Sequence, residues 1–212
     1  MALETATTAE TAHVARTRVI ELTNPKWEQQ QEVLDRAKQL DVAVWIGRAT
    51  VDKFYGEVSA EQIARGLAVP YETVVGTPQL LTYGGASALW HRLIGGTTVT
   101  AFDNSNAYLG VGDGDDTADA AQTDLQGDNK LRKAMDANYP SHTDGTTSSS
   151  ASIVFRATFG TSDANFDWLE WGIFNAASSG RMLNRKQENL GTKSSAASWV
   201  LTCTLTLSGS DS

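Results

Sequence analysis

The densest group of carboxylates in the chain is Asp113-Gly-Asp-Asp-Thr-Ala-Asp119. Hard oxygen donors at alternating positions are what a calcium ion recruits, which makes Asp113, Asp115 and Asp119 the metal candidates. The spacing stops short of a calcium loop. Ala118 stands where the sharp-turn glycine is needed, and no glutamate follows at the right distance. A turn that caps a helix accounts for the cluster better, and no metal is expected.

A second chemical possibility lies in Asp167 and Glu170, flanked by Trp168 and Trp171. Two carboxyls across a scissile bond with aromatic rings beneath a sugar would suit glycoside hydrolysis. On one strand, however, residues three apart point to opposite faces, so the two carboxyls cannot flank one bond. Trp168 and Trp171 are left as possible glycan or partner contacts, or as core residues that need no such role. Glu170 shares parity with Phe166, Trp168 and Phe174, and is expected to be a buried carboxylate paired with Arg156 or Arg185.

The remaining reactive side chains form no constellation. His13, His91 and His142 fall in a tail, a helix and a loop, without metal-ligand spacing. Ser87 in Gly85-Ala-Ser-Ala-Leu89 lacks the second glycine of a nucleophile elbow. Gly110-Val-Gly-Asp-Gly114 is a glycine-rich turn rather than a phosphate loop. Cys203, the single cysteine, sits on the inward face of a predicted strand, where it acts as a small hydrophobe. No catalytic residue and no cofactor are expected.

Composition narrows the partners. A formal charge of -8 without any Lys/Arg run argues against nucleic acid, which needs a concentrated basic face. No apolar run approaches the length of a membrane span. Residues 1–16 lack the basic start and apolar core of a secretory signal, so synthesis in a cytoplasm is expected.

The elements that must position these residues follow from periodicity. In residues 198–207, Trp199, Leu201, Cys203, Leu205 and Leu207 alternate with Thr202, Thr204 and Thr206. Ile153, Phe155, Ala157 and Phe159 alternate in the same way. With the runs at 166–174 and 181–185 they predict an antiparallel meander. Residues 1–16 read as a flexible arm. Asn24-Pro25 opens an amphipathic helix through Val33, Leu34, Ala37 and Leu40. An apolar strand at 42–46 closes at Gly47, and a capping box at Ser59 and Gln62 starts a short helix. A further helix begins at Thr77-Pro78, with Leu80, Leu81, Ala88, Leu89, Leu93 and Ile94 on one side, until Gly95-Gly96 stops it. Its internal pair Gly84-Gly85 marks close packing or a break. Residues 116–125 read as helix, 129–139 as partly extended and 141–151 as a long loop. The expected fold is α+β: an arm at 1–16, a mixed helical α/β attachment region at 17–96, and an antiparallel β-sandwich-like module at 97–212.

From Leu80 onward the chain resembles a family of small structural proteins of tailed bacteriophages. The residues that carry the resemblance include Leu93-Ile-Gly-Gly96, Asp103-Asn-Ser-Asn-Ala-Tyr-Leu-Gly-Val-Gly-Asp113, Gln122-Thr-Asp-Leu-Gln126 and Lys130-Leu-Arg-Lys-Ala-Met-Asp136. Tyr139-Pro140, Phe155-Arg-Ala-Thr-Phe-Gly160, Ala164-Asn-Phe166, Met182-Leu-Asn-Arg185 and Leu190-Gly-Thr-Lys193 extend it. Glu170-Trp-Gly-Ile-Phe174 is also similar to a strand of phage tail-collar fibre domains. The resemblance implies a non-enzymatic virion protein present in several copies on the tail, neck or head surface. Its implied partners are other tail, neck or capsid subunits and copies of itself, with a trimer as one arrangement. Capsid decoration and a glycan-binding adhesin are the alternatives.

Overall fold

The computed structural model describes residues 17–22 and 44–208. The arm expected at 1–16 and the helix expected from Asn24 to Leu40 lie outside the described residues. The chain runs through β1 (Arg18–Glu21), β2 (Val44–Tyr55), α1 (Ala60–Ala64), β3 (Glu72–Val75), β4 (Leu80–Leu81) and α2 (Tyr83–Leu93). It continues with β5 (Tyr108–Gly112), β6 (Lys130–Ala134), β7 (Ser141–His142), β8 (Ser152–Phe159), β9 (Asp167–Phe174), β10 (Met182–Thr192) and β11 (Ala197–Ser208).

Two sheets result. One has the order β1-β3-β2-β11-β8-β7 and the other β4-β10-β9-β5-β6. Neighbours pair antiparallel except β1 and β3, which are parallel. The fold class therefore differs from the expected one. The described residues are mostly strand, 42% against 12% helical, and a mixed helical N-terminal region is not what they show.

β2 is the main reason. It pairs with β11 along its whole length, from Val44 opposite Ser208 to Tyr55 opposite Ala197. Ala49 and Val51 face the core, but Lys53 follows them on the same face and breaks the apolar pattern. Lys53 is tolerated there because its ammonium is 2.8 Å from Glu72 and lies 4.2 Å from the centre of the Trp199 ring. Gly47, which looks like a strand end, lies within the strand. A Cβ there would overlap the Gln79 side chain.

The alternation in β8 and β11 produces the face that the sequence implies. Phe155, Ala157, Phe159, Trp199, Leu201, Cys203 and Leu205 all enter one core with Leu109, Val111, Trp171 and Ile173 from the facing sheet. Leu207 alone of the expected series is exposed. Burial of Cys203 pushes its thiol well above the usual range, as an inert core thiol requires.

β9 is covered on both sides. Its outward face carries Phe174 against Leu125 and Met182, with the Arg132 guanidinium 3.6 Å above the Phe174 ring. β5 supplies the space: a Cβ on Gly110 would come 2.6 Å from the Phe174 ring, and one on Gly112 would come 2.6 Å from the Glu170 carboxylate. The Gly-rich turn motif is thus a gap cut for two large neighbours.

Candidate functional site

The residues first singled out for chemistry are held in structural roles. Asp113 accepts from the Asn129 amide N–H at 3.0 Å and from the Asn129 side chain at 2.6 Å. The side-chain bond holds its carboxyl below the usual range. Asp119 accepts from the Ala121 N–H at 2.7 Å, and Asp115 is exposed. Among the described residues, no group of three or more His, Cys, Asp or Glu side chains could share a metal ion.

Trp168 and Trp171 are fully buried, so neither offers a ring to a glycan. Trp168 donates to the Ala164 carbonyl at 3.0 Å and packs edge-on against Phe159 and Trp199. Both tryptophans enter the same core although they are three residues apart. The pairing of β9 with β10 is irregular at this point, its register shifting between Gln187 and Gly191 opposite Glu170 and Trp168, and the alternation of β9 is interrupted there.

Glu170 lies on the other side of β9, fully buried, with Arg185 Nε at 2.7 Å. Its Oε1 also accepts from the N–H groups of Gln126 and Gly127 at 2.8 and 2.7 Å. Arg185 donates to the Asp116 carbonyl at 3.0 Å and to the Gln122 side chain at 2.9 Å. The pair therefore pins the long connection between β5 and β6 across the outer face of the sheet. Arg156 belongs to the opposite sheet and pairs instead with Asp136 at 2.9 Å. Thr158 adds its N–H and hydroxyl to that same carboxylate.

The expected helix at 116–125 is absent for the same reason. The Asp119 and Gln122 bonds that would begin a helix do form, but Gln126 and Gly127 turn their N–H groups to Glu170. Leu125 is drawn under Phe174 instead of continuing a helical face.

A third buried polar set lines β10 near residues 76–79. Glu188 accepts from the Thr77 N–H at 2.7 Å and its hydroxyl at 2.6 Å, Lys186 donates to the Pro78 carbonyl at 2.8 Å, and Asn184 donates to Gln79. Burial lowers the Lys186 ammonium's pKa, and Glu188 offsets part of that.

An apolar group that faces outward lies on α2. Thr82 caps the helix: its hydroxyl oxygen accepts from the Gly85 N–H at 2.9 Å, and the hydroxyl donates to the Met182 carbonyl at 2.5 Å. Gly85 packs directly on the Leu183 backbone, and Ala88 and Leu89 complete the inner face. The expectation placed Leu93 and Ile94 on that inner face. They are 75% and 83% exposed, and Tyr83 and Trp90 join them at 73% and 63%. The helix runs from Tyr83 rather than Thr77, its inner face is Gly85, Ala88 and Leu89, and Leu93 and Ile94 fall at its C-terminal end. The spacing of Tyr83, Ser87, Trp90 and Ile94 was the signal that pointed to the outer stripe.

Tyr83, Trp90 and Ile94 form an exposed apolar stripe with Leu93 beside it, and its aromatic rings are of the kind that anchor protein interfaces. Comparison with protein-family models, with curated proteins and with solved structures finds no match to this chain.

Proposed function

We propose that this chain is a non-enzymatic structural protein of a tailed-bacteriophage virion, assembled in several copies on the tail, neck or head surface. The observation that carries the proposal is a contrast within the fold. Glu170, Asp136 and Glu188 are engaged in bonds that lock strands and loops together, whereas α2 turns Tyr83, Trp90, Leu93 and Ile94 to solvent. A rigid sandwich with an apolar outer stripe suits a part that grips its neighbours. The placement in a phage particle is drawn from the resemblance that begins at Leu80.

Its partners are accordingly other virion subunits and copies of itself, and its place is the virion. The test is to separate a phage lysate that contains this chain on a density gradient and probe the fractions with an antibody against it. The chain is expected in the particle band after high-salt washing. Recovery wholly in the soluble fractions would overturn the proposal.

A further inference from the structure

The outer stripe of α2 has a property that selects its occupant. Tyr83, Ser87, Trp90 and Ile94 follow one another at intervals of four, three and four residues. That is the spacing of an antiparallel helix seam, and it reads the same from either end. All four are exposed, and Ser87 leaves a notch between the two aromatic rings.

We propose that this face pairs with the same face of a second copy of the chain, antiparallel about a two-fold axis. Tyr83 then meets the partner's Ile94, and Ser87 receives the partner's Trp90. Each copy supplies one knob and one hole, as an isologous contact demands. This deepens the reading of the chain as an assembly subunit, on which it rests.

Three further observations favour a copy over other occupants. Area comes first. The exposed parts of Tyr83, Trp90, Leu93 and Ile94 offer on the order of 500–600 Å² of apolar surface, at the upper end for one patch on a monomer. Doubled across the axis, with flanking polar surface, this reaches the roughly 1,200 Å² at which stable interfaces begin. Charge is second. The chain as a whole repels itself at -8, but α2 contains no Asp or Glu and carries only His91 and Arg92, so the seam has no acidic repulsion to overcome. Third, antiparallel packing sets the positive end of each helix beside the negative end of the other. A lipid surface fits less well, because anionic headgroups select a basic stripe that this helix lacks.

The experiment measures the mass of the full chain by light scattering at micromolar concentration, for the wild type, Trp90→Glu and Ile94→Arg. Both positions are solvent-facing, so circular dichroism should remain unchanged. The wild type is expected at twice 22.7 kDa and both variants at 22.7 kDa. Orientation is read by mixing a Tyr83→Cys chain with an Ile94→Cys chain under oxidation, since Cys203 is buried and does not compete. A mixed disulfide is expected. A monomeric wild type, a mass that neither substitution changes, or linkage of Tyr83→Cys chains to each other in place of the mixed product would overturn the pairing. A monomer still recovered with particles would overturn the pairing alone. A dimer absent from particles would support the pairing and overturn the virion placement.

Discussion

At the scale of single residues, Glu170 organises more of the molecule than any exposed group does. One carboxylate joins β9 to β10 through Arg185 and fixes the β5–β6 connection through two backbone N–H groups. Removing one member of such a buried pair leaves the other charge uncompensated, so Glu170→Gln is expected to cost about 3–5 kcal/mol in urea denaturation. Replacing Glu170 and Arg185 together by Met should recover part of that loss. An unchanged midpoint for Glu170→Gln would refute the role. Partly exposed carboxylates contribute to the acid limb of stability. Asp113 is held low by the Asn129 side chain and Glu57 by the Thr161 hydroxyl. Burial raises Asp163 and is outweighed by Lys133, the Gly160 N–H and Lys193 together. Their folded values lie below the unfolded ones of 3.8 and 4.5. The stability they contribute is therefore fully present above those values and falls as pH drops through the folded ones. Denaturation midpoints should be level in mildly acidic buffer and decline below about pH 4, less steeply in an Asp113→Asn and Glu57→Gln chain. Sequence parity placed Glu170 inside but left Arg156 and Arg185 as equal partners. Only sheet membership separates them, and that depends on pairings distant in the chain.

At the scale of elements, α2 shows how a short helix is attached. The Thr82 hydroxyl serves both the helix start and the Met182 carbonyl, and Thr82→Val should cost about 1–2 kcal/mol. Gly85→Ala should cost about 1–3 kcal/mol, because a Cβ would come 2.2 Å from the Leu183 carbonyl oxygen and force the helix off β10. Thermal melts check both, and a neutral Gly85→Ala would show that the helix docks elsewhere. β8, β11 and the capping box of α1 were legible because local period and capping chemistry determine them, whereas period alone did not separate helix from strand over 129–139, where β6 forms. β2 was hidden by Lys53, whose burial depends on Glu72 and Trp199 from other strands. The outer face of α2 was hidden because its helix starts five residues after Pro78, behind the two-residue strand β4.

At the scale of the molecule, strands from before and after residue 96 share both sheets, so the β body is built from the described chain as a whole. Its core is closed, its buried charges engage neighbouring elements, and the exposed apolar side chains Tyr83, Trp90, Leu93 and Ile94 lie along α2 and at its end, while Val19, Tyr55, Leu67, Val69 and Leu207 are exposed elsewhere. We propose this body as a multi-copy part of a particle. Quantitative mass spectrometry of purified, salt-washed particles, referenced to the major capsid protein, tests it most directly. A fixed number of copies per particle, greater than one and constant between preparations, is expected. Absence from washed particles, or a copy number that varies with the purification, would contradict it.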